Sequence, residues 1–209
     1  MKEQFNNLEQ EQLKSFQELR EKVHEQIDAE TEARIKSNPQ PTELEILAGA
    51  FREMIEPQVR DAVFEFYRKG YATASSGFGG EWGEIQVIDG HFEVDRDTKA
   101  KIEELGAKVL KGTDVVPSFE ETYTFIKFKP EKSDLNEIKA KWDKIAQALP
   151  ARDEPAPPSI SGGPEDFRKQ YAPDRTDIEK AMLERRLLLT ESHPDVEEEM
   201  RQRIKELSK

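Results

Sequence analysis

The sequence predicts an α+β fold: a small antiparallel-rich sheet with helices on one face, a long N-terminal helix, and a C-terminal helical hairpin. Three observations carry that expectation. Thr122–Lys129 reads TYTFIKFK, rich in β-branched and aromatic residues, as a strand requires. Leu135, Ile138, Trp142, Ile145 and Leu149 recur at helical spacing, the cleanest amphipathic pattern in the chain. Residues 150–164 (PARDEPAPPSISGGP) then separate a core region from a polar tail. The domain organisation follows: a polar helix over 1–41, a core domain over 42–150, a proline- and glycine-rich linker over 151–164, and a helical segment over 165–209.

In the first segment Phe16, Leu19, Val23 and Ile27 form a narrow apolar stripe among glutamates, glutamines and lysines. The stripe suits either a short coiled-coil seam, which would make residues 4–36 a homodimer contact, or packing against the following domain. Asn38-Pro39-Gln40-Pro41 ends the helix, because a proline disfavours helical backbone at the residue before it. Thr42 and Glu45 form a capping box that opens a second helix with a broad apolar face. Pro57 must kink that helix or restart it as its first residue, and Gly70 terminates it.

Tyr71–Ser76 reads as a strand and Gly77–Gly80 as a flexible loop. Asp89-Gly90 is a residue pair favoured in two-residue hairpin turns, so Glu84–Ile88 and His91–Val94 are expected to pair across it. That register places Ile85, Val87, Phe92 and Val94 on the core face, with Gln86, Ile88, His91 and Glu93 opposite. Asp95 or Asp97 caps a short helix ended by Gly106; a strand over 107–111 follows. Ser133 or Asp134 caps the helix that carries Trp142. Beyond the linker, Thr176–Glu179 forms another capping box, and a break at Ser192-His193-Pro194 makes the helical hairpin.

The chain has 209 residues, 36% of them charged, a formal net charge of −12 at pH 7 and no cysteine. The acidic excess runs through every segment, so no basic footprint for nucleic acid or anionic membrane is present. Without cysteine there are no disulfides, thiol nucleophiles or cysteine-ligated metal centres. The opening residues are polar, and no apolar run approaches the roughly 18 residues of a membrane span. A cytoplasmic location is the expectation.

Candidate chemistry concentrates in residues 71–86. Ser75-Ser76-Gly77-Phe78-Gly79-Gly80 could present backbone N–H groups to an anion, although the phosphate-loop lysine and following helix are missing. Trp82 beside it could stack on a ligand. The histidines at 24, 91 and 193 lack metal-ligand spacing, while His91 and Glu93 share a strand face as the start of a metal site would. No metal and no cofactor is expected.

Gly70-Tyr71-Ala72-Thr73-Ala74-Ser75-Ser76, preceded by a helix containing Pro57, resembles the GY-x-T-x-SS segment of the tRNA wybutosine-synthesis methyltransferase family over about twenty residues. That family's pattern continues with cysteine, serine, glycine and a basic residue, where this chain has Gly77-Phe78-Gly79-Gly80. The resemblance implies a pocket at Thr73, Ser75 and Ser76 and S-adenosylmethionine-dependent chemistry.

Two functions are weighed. The leading expectation is a non-enzymatic interaction or scaffold protein that meets a protein partner through its terminal helices. The alternative is a small-ligand binder or RNA- or nucleotide-modifying enzyme using the 71–86 loop, with Thr73, Ser75, Ser76, Gly79, Trp82, Gln86, His91 and Glu93 as ligand-binding candidates. A concave pocket under Ser75, Ser76 and Trp82 would mark the second.

Overall fold

A computed structural model of the chain describes residues 2–37, 40–115 and 122–156 together with 202 and 205, and side chains in the first helix from residue 10 onward. The linker beyond 156 and the expected C-terminal hairpin lie outside the described residues.

Helix α1 (Lys2–Lys36) leads into α2 (Glu43–Ala48), a 3₁₀ turn at Arg52–Met54, and α3 (Pro57–Arg68). Then come strands β1 (Ser75–Gly79) and β2 (Ile85–His91), α4 (Arg96–Glu104), β3 (Lys108–Lys111), α5 (Gly112–Val115), β4 (Tyr123–Phe128) and α6 (Leu135–Ala148). The four strands form one antiparallel sheet in the order β1-β2-β4-β3. This is the α+β architecture expected. Helices α3 and α6 pack together against one sheet face, where Val59, Val63, Phe66, Ile138, Trp142 and Ile145 close over Ile88, Val109, Ile126 and Phe128.

Helix α1 lies against its own domain, one of the two placements its stripe allowed. Phe16 and Val23 are buried and Leu19 packs on the core. Polar contacts hold both ends: the Gln12 amide donates to the Glu131 carbonyl (2.6 Å) and Arg60 pairs with Glu30 (2.8 Å). The Arg34 guanidinium reaches Glu45 (3.4 Å) and lies over the Phe51 ring. The Thr42–Glu45 capping box forms. The continuous helix expected after it does not, because Gly49 enters the left-handed region (φ 68°) and closes α2 early. Pro57 restarts the helix as the first residue of α3.

The hairpin at Asp89-Gly90 is overturned. Strand β2 runs straight through both residues, which pair with Phe125 and Thr124 of β4, and Gly90 is not at positive φ. The β1–β2 turn lies instead at residues 80–84, where Gly80 (φ 82°) and Gly83 (φ 79°) supply the left-handed backbone. Glycine is needed at 90 for another reason. A Cβ there would collide with the Ala72 carbonyl oxygen and come within 2.8 Å of the Thr73 Cα, because the chain entering β1 crosses over this point. Likewise Gly77–Gly79, expected in a loop, belong to β1, which starts four residues later than the expected strand.

The face assignment of β2 is inverted as a consequence. Gln86 and Ile88 face the helices and are fully buried, whereas Ile85 and Val87 lie half-buried on the opposite face. Gln86 is tolerated inside because its side-chain oxygen accepts from Gln58 (3.3 Å) and from the Trp142 indole (3.5 Å). Phe92 is buried as expected, edge-on to Phe66 and Tyr71.

Asp95 and Asp134 cap α4 and α6, each accepting two backbone N–H groups. The start of the expected linker is a docked segment. The Arg152 N–H donates to the Lys69 carbonyl, its guanidinium lies 4.2 Å from the Tyr71 ring centroid, and Ala156 is buried in the core.

Candidate functional site

A cleft of about 510 Å³ opens between α1, the connection from α2 to α3, and the leading end of β1. Thr73, Ser75 and Ser76 line its strand wall, and His24 and Asp28 line its helix wall. Ile27, Met54, Ile55 and Val63 supply apolar surface. Local structure explains the placement. Gly70 turns the chain out of α3, Tyr71 anchors beneath Arg152, and the Tyr67 hydroxyl donates to the Thr73 carbonyl (2.8 Å). Residues 73–76 are thereby led along the outer edge of the sheet.

Glu56 is the chemically distinctive group in this cleft. It precedes Pro57 at the start of α3, and its side chain is 12% exposed. The Phe78 backbone N–H donates to its Oε2 (2.9 Å), as does the Gln58 amide (2.5 Å), while His24 Nε2 lies 3.5 Å from its Oε1. Gly77 makes the approach possible, since a Cβ there would stand 2.6 Å from Oε1. Burial raises the Glu56 carboxyl above its ordinary value of 4.5; the bonds from Gln58 and Phe78 and the nearby His24 oppose that rise without cancelling it. Among the described residues, the cleft lining contains two carboxylates and neither lysine nor arginine.

The sign of the Glu56 shift gives a stability prediction. Between pH 4.5 and the higher folded value, the native carboxyl keeps a proton that the unfolded chain releases. The wild-type protein therefore loses stability as pH rises through that window, and a neutral amide does not. Glu56→Gln is expected to gain stability relative to wild type as pH increases, with the gap levelling off above the window. Urea denaturation from about pH 4 to about pH 8 measures it, and a gap independent of pH would contradict the buried placement.

The remaining candidates are dispersed. Ser75 joins a second polar group: its hydroxyl donates to Asp89 Oδ2 (2.6 Å), and the Tyr123 hydroxyl donates to Oδ1 (2.5 Å). Asp89 is buried, and burial of the Tyr123 hydroxyl, with the hydrogen bond to Asp89 and its charge, raises that hydroxyl well above its ordinary range. His91 sits at the end of β2 with its ring edge-on to Tyr123, 4.8 Å between centroids. Gly79 ends β1 against Val87, and Trp82 is half-buried in the 80–84 turn with its backbone N–H donating to the Glu84 carboxylate. Gln86 is sealed in the core.

Glu93 lies at a second cleft, of about 530 Å³, beside Asp95, Lys99, Lys111 and Arg152. The Arg152 side chain there is already engaged by the Glu93 carbonyl and Tyr71. Sequence reasoning thus found Thr73, Ser75 and Ser76 of the first cleft and missed Glu56, Asp28 and the role of His24. An acidic residue before a proline looks like an ordinary helix start, and only the tertiary fold brings α1 against β1.

Among the described residues, no cluster of three or more His, Cys, Asp or Glu side chains is placed to hold a metal ion. No described helix is long and apolar enough to cross a membrane. Comparison with models of protein families, with curated proteins and with solved structures gives no match.

Proposed function

We propose that the chain is a binding module without catalytic chemistry of its own, whose α1/β1 cleft receives a positively charged ligand. The observation that carries this reading is the Glu56 carboxylate, largely withdrawn from water and joined by Asp28 in a lining that, among the described residues, holds no lysine or arginine. A carboxylate in that position attracts an ammonium or guanidinium group more strongly than one in bulk water, because the surrounding dielectric is lower. The volume falls within the roughly 300–1,000 Å³ of small-ligand sites, and the aliphatic wall suits the stem behind a charged head.

The case against catalysis in the cleft is chemical. The Ser75 hydroxyl donates to Asp89, and among the described residues no imidazole is bonded to it to act as a general base. Ligand capture needs only the geometry described.

Butylguanidinium and butylamine are suitable probes, with S-adenosylmethionine, a sulfonium cation, included because the 70–76 resemblance implies it. Calorimetric titration is expected to detect binding to the full chain that weakens about tenfold in Glu56→Gln, the loss of one charge-assisted contact. Affinity should also rise with pH as Glu56 ionises, since the cation binds the carboxylate and not the acid. Absence of binding by every cation, or equal binding by Glu56→Gln, would overturn the reading.

A further inference from the structure

We infer that the ligand of this cleft is an extended peptide, which pairs with the outer edge of β1 at Ser76, beyond the stretch that Glu56 covers, and sets a lysine or arginine side chain against Glu56 and Asp28. The inference rests on the cation-binding reading above and supplies its ligand class.

The first support is the position of β1. Among the described residues the sheet order leaves it at an edge, with β2 on its inner side, and the cleft lies beside its leading end at Ser75 and Ser76. Residues in an antiparallel pair alternate between those that bond to the neighbouring strand and those whose backbone groups point away. The Phe78 N–H is directed at Glu56, away from β2, so Phe78 belongs to the outward set. Ser76, two residues earlier on the same strand, belongs to it too and turns its N–H and C=O toward the cleft that it lines. An entering strand can exchange a pair of backbone bonds with Ser76. Glu56 already acts as the acceptor one step further along.

Edge composition is the second support. Sheet edges are commonly guarded by lysine or proline against unwanted pairing. The opposite edge follows that practice, with Lys108 and Lys111 exposed on β3. Strand β1 reads Ser-Ser-Gly-Phe-Gly and carries neither. Strand addition also divides the work of recognition: the main chain supplies affinity, and alternate side chains find pockets. Here the facing wall offers Ile27 and Met54 to an apolar side chain, and Asp28 and Glu56 to a basic one.

The test uses the native full chain and an array of short end-blocked peptides, each carrying one lysine or arginine, with butylguanidinium as the bare cation. The best peptide is then resynthesised with its backbone nitrogens methylated singly, and with its basic residue replaced by norleucine. Binding is expected to fall about tenfold or more for methylation at the nitrogen that faces the Ser76 carbonyl, and for the norleucine peptide. Exchange of the Ser76 amide proton should slow when the unmethylated peptide binds. Should every methylated peptide bind as tightly as its parent, or no peptide exceed butylguanidinium, strand addition is refuted while cation binding stands. Failure of every peptide together with butylguanidinium, butylamine and S-adenosylmethionine refutes both.

Discussion

Trp142→Ala is expected to lower the free energy of unfolding by about 3–5 kcal/mol, the range for removing a large aromatic from a closed core. The indole is completely buried on α6, its ring 5.0 Å from that of Phe128. Truncation opens a void where α6, α3 and the sheet meet. It also takes away one of the two donors to the buried Gln86 oxygen, leaving Gln58 alone there. Urea unfolding at neutral pH measures the effect, and a loss under about 1 kcal/mol would mean that α6 does not close over the sheet as described.

Gly90→Val is the second large effect, at about 3 kcal/mol or more, the upper end of overpacking costs. At this position the first side-chain atom collides with the backbone of Ala72 and Thr73, and backbone cannot swing aside as a flexible side chain can. The strand must shift or the entry to β1 must lift away. The comparison with Gly106 is informative. Gly106 has positive φ (76°) at the end of α4 and faces only the tip of Lys141, so Gly106→Ala should cost about 1 kcal/mol through backbone strain. Similar losses at the two sites would indicate that Gly90 sits in a turn after all. Thermal unfolding of both variants decides between them.

The two glycines also show how far the sequence was legible. Signals that concern a few adjacent residues were legible: the Thr42–Glu45 box and the apolar spacing of α6 outright, and Pro57 at a helix start and the caps at Asp95 and Asp134 each as one of two alternatives. Each depends on local backbone chemistry that tertiary structure has little reason to override. The errors gathered where a long-range contact decides. Asp89-Gly90 carries a hairpin signature, yet the glycine answers a chain crossing it from residues 72–73. Gln86 looks like a solvent-facing position, yet its side-chain oxygen accepts from Gln58 and Trp142 inside the core, and the face of the whole strand is reversed.

The candidate site divides along the same line. Thr73, Ser75 and Ser76 are adjacent in sequence and reach the cleft together. Glu56 and His24 meet only because α1 folds back over the start of α3. Spacing along the chain holds no trace of a pair thirty-two residues apart in numbering and 3.5 Å apart in space.

In the proposed function, positive charge is received in the α1/β1 cleft. The most direct measurement is a map of backbone amide and histidine ring shifts across the full chain during titration with butylguanidinium. The account predicts saturable changes concentrated at His24, Asp28, Glu56, Ser75, Ser76 and Phe78, and their loss in Glu56→Gln. Changes centred on Glu93 and Asp95 at the second cleft, or spread evenly over the acidic surface, would contradict it.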